Sequence, residues 1–185
     1  EDASVALSVL RSGINMVGYS NPTGVNANKF IKSYNGKGLF GCNTTFEDAT
    51  AAIADLSCAN GAGPNAIAVA YEADTANSVV NVDNVPLDCL GNAITAGANP
   101  TYLAYNRYYV DNNKLMCLGP VNDTPDALVD NVVDLRIRYG VSLPGGLVPA
   151  VAFYADADDV GDTPGNANWD NTVSVRLCVV IASAE

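Results

Sequence analysis

Two stretches near the C-terminal end alternate apolar and polar residues so regularly that each reads as a β-strand with one side buried. Val133, Leu135, Ile137 and Tyr139 fall on one face, with Asp134, Arg136 and Arg138 on the other. Further on, Val173, Val175, Leu177, Val179 and Ile181 oppose Ser174, Arg176 and Cys178. A sheet with one apolar face must be covered by a second layer. The opening of the chain supplies the cover: Ala3, Leu7, Leu10, Ile14 and Val17 recur at steps of four, three, four and three, which predicts a helix over residues 2–17 presenting that stripe. The expected fold class is α+β, an N-terminal amphipathic helix packed on a mostly antiparallel sheet.

The intervening sequence predicts the connections. Gly18 ends the helix, and the Asn21–Gly24 cluster turns the chain. Residues 20–45 are rich in Asn, Gly, Ser and Lys without a sustained period and read as a long surface loop ending at Cys42. A short helix is expected over 46–56, with Thr45 as its cap and Asp48 three residues on. Period two then sets in at Ile67, Val69 and Tyr71, continues at Val79, Val80 and Val82, and recurs over 102–110 and 115–118 around the polar connection Asp111-Asn112-Asn113. A chain of 185 residues fits one domain. It divides into the helix 2–17, a loop and short helix over 20–57, and a sheet region over 66–183.

Composition narrows the function. Nine scattered basic residues against twenty acidic ones give a net charge of −11, which repels nucleic acid and anionic lipid alike. Histidine is absent, which removes the commonest general base and the commonest transition-metal ligand. No catalytic group, cofactor site or metal site is expected. Asp156, Asp158, Asp159 and Asp162 around Gly161 resemble part of a calcium loop, but Val160 and Ala167 stand where oxygen ligands belong, so a solvated acidic turn is the simpler reading. Asp130 and Asp134 on a strand do not by their spacing define a carboxylate pair across a sugar bond. Tyr102, Tyr105, Tyr108 and Tyr109 form a dense aromatic group, read as core and cross-strand packing or as a stacking surface. No apolar run approaches the ~18 residues of a membrane span, and the helical pattern is already under way at the first residues, as if the chain had been cut within a longer helix.

Several strings resemble a known family. They are Ile14-Asn15-Met16-Val17-Gly18-Tyr19, Leu39-Phe40-Gly41-Cys42, Asp88-Cys89-Leu90-Gly91, Asn106-Arg107-Tyr108-Tyr109-Val110, Leu115-Met116-Cys117-Leu118-Gly119, the segment Leu128 to Gly140, and Trp169 ahead of Val173-Ser174-Val175-Arg176-Leu177-Cys178. In order and spacing the chain resembles the PilW family of minor pilins and pilus-assembly proteins over nearly its whole length. The resemblance implies a pilin-like fold and a role in priming or assembling a type IV pilus with other minor and major pilins, sometimes at the fibre tip. It also implies an extracytoplasmic location on the periplasmic face of the inner membrane and then in the fibre. The chain departs from the family at its start, where the long apolar helix and its glutamate are absent; Glu1 is not that residue. Attachment to the inner membrane is expected only through that missing helix. The stripe Ala3, Leu7, Leu10, Ile14 and Val17 would then be the assembly helix. A J-type pseudopilin of type II secretion shares the architecture, and a surface adhesin or carbohydrate-binding module using the tyrosine-rich strands is the alternative from another class.

The five cysteines, Cys42, Cys58, Cys89, Cys117 and Cys178, contain no CxxC pair, and their wide spacing with low charge suggests an oxidising compartment. Two bridges and one free thiol are expected. Cys89 with Cys117 would close ~29 residues and stabilise the fold by roughly 3–4 kcal/mol, and Cys42 with Cys58 would fasten the loop and short helix. Cys178 is left over, without a histidine to activate it. The alternative is five reduced, buried thiols of a cytoplasmic protein.

Overall fold

A computed structural model describes residues 2–26, 29–97, 101–143, 150–161 and 167–183. The chain begins with helix α1, Asp2–Asn15, followed by strands β1, Pro22–Asn26, β2, Lys29–Lys32, β3, Leu39–Cys42, and β4, Ala66–Ala73. Strands β5, Tyr102–Asp111, β6, Lys114–Leu118, β7, Asp126–Asp130, β8, Val132–Ser142, and β9, Val151–Ala155, come next. Two single-turn helices, α2, Ala157–Val160, and α3, Ala167–Asp170, precede β10, Thr172–Ile181.

The class is α+β, and every strand pair among the described residues is antiparallel. The strands do not form one sheet, however. Among the described residues they divide into a five-stranded sheet in the order β3-β4-β5-β6-β7, a three-stranded sheet β10-β8-β9, and the separate hairpin β1-β2. Asn65, buried just before β4, joins the two larger sheets: its N–H donates to the Leu135 carbonyl at 2.7 Å and its side-chain oxygen accepts from the Ile137 N–H at 2.7 Å. One amide side chain thus stands in for a strand neighbour and leaves no β8 donor orphaned there.

Helix α1 contacts β7 and β10, and its Gly13 lies over the Tyr108 ring of β5, where a Cβ would come within 2.8 Å of the hydroxyl. The buried line along the helix is Ala6, Leu10 and Gly13. The stripe expected from the spacing is therefore displaced: Leu10 is buried, Ala3, Ile14 and Val17 are half-buried, and Leu7 is 40% exposed. Close approach of backbone to an aromatic ring demands a minimal side chain, so Gly13 takes the contact, Ala6 and Leu10 follow it inward, and Leu7 is left on the flank. The helix ends as Gly18 adopts φ +68° and gives its N–H to the Ala70 carbonyl of β4.

Three further expectations are corrected. The region 20–45 holds the β1-β2 hairpin and β3, because Ser20, Asn21 and Ser33 all converge on one acceptor, the buried Glu72 of β4. No helix forms over 46–56: Asp48 takes the Thr50 N–H and hydroxyl in a local turn, and Phe46 pairs as an isolated bridge with Cys58 while its ring packs edge-on against Tyr109. Val79, Val80 and Val82 do not continue a strand, since Asp74 and Asn81 cap successive turns on either side, and Val82 is 97% exposed. The 102–118 hairpin forms as the spacing predicts, its turn made by Asn112 and Asn113, both at positive φ.

Disulfides join Cys42 to Cys58 and Cys89 to Cys117, and Cys178 is an exposed free thiol on β10. At the far end of the core, Tyr139 of β8 stacks edge-on against Trp169 at 4.8 Å, and Trp169 in turn meets Phe40 at 5.6 Å. The Tyr139 hydroxyl is buried, lies against Gly41, and has no hydrogen-bond partner among the described residues.

Four outcomes are expected. Tyr139→Phe removes an unpartnered polar atom and should leave stability unchanged or raise it by about 1–3 kcal/mol, whereas Gly41→Ala drives a methyl into that ring and should cost about 1–3 kcal/mol; urea midpoints read both, and a destabilised Tyr139→Phe would mean the hydroxyl is bonded after all. For Glu72, burial alone would raise the carboxyl pKa, but hydrogen bonds from Ser33, Asn21 and Ser20 outweigh it and hold the value low. A depressed folded pKa contributes stability above the unfolded value that is lost as pH falls through the folded one. Glu72→Gln should accordingly lower stability at neutral pH and flatten its decline in acid, as followed by urea unfolding across the acidic range. Alkylation of the native, unreduced protein should modify Cys178 alone, and mass spectrometry showing a second labelled cysteine would contradict the pairing.

Candidate assembly surface

The rotation of α1 leaves an apolar flank uncovered. Leu7, Arg11, Ile14 and Asn15 of the helix face Val175 and Leu177 of β10 across an open groove of about 320 Å³. β10 is an edge strand, paired only with β8 among the described residues, so its other backbone edge offers free donors and acceptors. Val173, exposed beside Val175, extends the apolar area, whereas Val180 alternates onto the opposite face of β10 with Arg176 and Cys178. A flank of this kind can take a second helix into its groove or a second strand along its edge.

A second exposed apolar element is the β1-β2 hairpin. It carries Val25 at 64%, Phe30 at 73% and Ile31 exposed, and it is a sheet of its own tied to the body through Glu72. Charge separates along the chain in the same sense. Residues 3–46 contain Arg11, Lys29, Lys32 and Lys37 and no acidic residue, while eighteen of the twenty acidic residues follow residue 46. Lys37 already pairs with Asp170 at 3.5 Å. That split was readable in the sequence as a run of more than forty residues without a carboxylate, but only the fold shows that it contains both exposed apolar elements.

The other candidates fall differently. The bridges Cys42–Cys58 and Cys89–Cys117 brace the five-stranded sheet, the first at the end of β3 and the second on β6. Tyr108 is buried under α1 and is not part of a surface patch; burial pushes its phenol far above the ordinary range. Tyr105 and Tyr109 lie on the opposite face of the sheet, half-buried against Tyr34 and Phe46. Asp130 pairs with Lys114 and Asp134 with Arg136, each at 2.9 Å, so neither stands in a paired-carboxylate geometry. In the acidic turn, Asp156 pairs with Arg138 at 3.1 Å, Asp158 and Asp159 open α2, and Asp162 lies outside the described residues. Among the described residues no group of three or more potential ligands is gathered for a metal ion, and no helix is long and apolar enough to cross a membrane.

Residues 107–185 match the family model of the type IV pilus-assembly protein W, PilW. This stretch begins in β5 and includes β6 to β10, hence the edge strand that forms one wall of the groove. No curated protein and no solved structure matches the chain. The matched family is described as serving type IV pilus assembly, an extracytoplasmic process that involves protein partners. Over residues 107–185, less than half of its length, the chain is similar to the PilW family of type IV pilus-assembly proteins.

Proposed function

We propose that this chain is the single, pilin-like extracytoplasmic domain of a minor pilin that takes part in priming or assembling a type IV pilus by contact with other pilins. The observation that carries the reading is the apolar groove between α1 and β10, whose strand wall lies inside the PilW-matching segment. A partner helix seated against Leu7, Ile14, Val175 and Leu177 would bury surface that the isolated chain leaves in water. The stripe residues Ala3, Leu10 and Val17 hold α1 in place on the sheet, and Leu7 with Ile14 does the recognising. The exposed hairpin around Phe30 supplies a lateral contact, steered by the cations of residues 3–46 toward the acidic surface of a neighbouring subunit.

The test uses the full-length gene in a host lacking its own copy. Leu7→Asp and Val175→Asp place a charge in the groove, and Leu7 is exposed enough that the fold tolerates the change. Each should weaken co-purification with other minor pilins by about tenfold or more and reduce piliation, with circular dichroism and thermal unfolding unchanged. Normal piliation and normal co-purification with both variants would overturn the reading. Co-purification with type II secretion pseudopilins instead would move the chain to that machinery.

A further inference from the structure

On the face of the five-stranded sheet away from α1, a cleft of about 340 Å³ opens beside β5. Its size lies within the ~300–1,000 Å³ typical of small-ligand pockets. Arg107, only 8% exposed, lines it. Its two terminal nitrogens donate to the Ala51 carbonyl at 2.8 Å and the Tyr105 carbonyl at 3.3 Å, while the Nε–H is buried without a partner among the described residues. Among the described residues the four ion pairs do not include Arg107, so a desolvated guanidinium faces the cleft with donor capacity in hand. Such a group is costly to maintain in a protein that makes no use of it.

We propose that this cleft binds a neutral sugar, one monosaccharide unit of a glycan, independently of pilus assembly. The lining is mixed in charge: the Asp123 carboxylate stands with Arg107 in the same cleft without forming an ion pair with it. An anionic ligand would meet Asp123 and a protein of net charge −11, and a cationic one would meet Arg107. A neutral polyol uses both, accepting from the guanidinium and donating to the carboxylate through neighbouring hydroxyls, with the Thr101 hydroxyl as a further partner. The half-buried Tyr105 and Leu103 match the C–H face of a pyranose ring.

Saturation-transfer NMR on the intact chain with glucose, galactose and mannose tests this, with galacturonate as the charged comparator. At least one neutral hexose should receive saturation on its ring protons, more strongly than galacturonate. Asp123→Ala and Tyr105→Ala should each weaken binding by about tenfold; Asp123 is exposed, so its replacement leaves the fold intact, and Leu7→Asp should leave sugar binding unchanged. The proposal is overturned if none of the three hexoses binds, or if galacturonate binds more tightly than they do and keeps its affinity in Asp123→Ala. Because Leu7 and Asp123 lie in separate sites, loss of one activity without the other shows which of the two readings has failed.

Discussion

The contact between Gly13 of α1 and the ring of Tyr108 sets the geometry on which the remainder of the molecule depends. A helix can lie that close to an aromatic side chain only where it presents no Cβ, so the contact decides at once how near the helix approaches and which way it is turned. Ala6 and Leu10 follow Gly13 into the core, Tyr108 disappears from the surface, and Leu7 is left on the flank beside β10. The groove is therefore a consequence of tight packing one helical face away. A bulkier residue at position 13 would lift the helix off β5 and alter the groove by the same motion.

Polar groups, not apolar ones, join the parts that this core does not hold. Asn65 links the two larger sheets by completing the hydrogen bonding of β8, and Glu72 gathers the start of the hairpin segment and its end onto β4. Each interaction is buried and satisfied, so each fixes one arrangement and penalises the alternatives. The hairpin held in this way exposes Phe30 and Ile31 on a segment free of carboxylates, while the body behind it is strongly acidic. On an exposed apolar arm of opposite charge to the body, electrostatic steering and apolar burial can act at the same place.

The two faces of the five-stranded sheet serve different ends. One is consumed by α1 through Tyr108, and the other carries Arg107 and Tyr109 under the 43–58 segment fastened by the Cys42–Cys58 bridge, and Tyr105 against Tyr34. Strand alternation along β5 separates these roles residue by residue. The tyrosine-rich run therefore reads as one aromatic group in sequence and as two unrelated environments in space.

Much of the architecture was legible in the residues alone. The alternation around Leu135 and Leu177, the opening helix, the 102–118 hairpin with its Asn112-Asn113 turn and the lack of histidine are local properties, and local periodicity reports them. The β1-β2 hairpin and the missing helix over 46–56 were not legible, because Glu72 and the Phe46–Cys58 bridge act on those segments from outside them. Nor could spacing reveal the turn of α1, the division into two sheets or the cleft at Arg107. Periodicity tells which side of an element is apolar, whereas the neighbour that side meets, and how closely, depends on the volumes of residues far apart in the chain; only the tertiary structure brings Gly13 to Tyr108, Asn65 to Leu135 and Arg107 to Ala51.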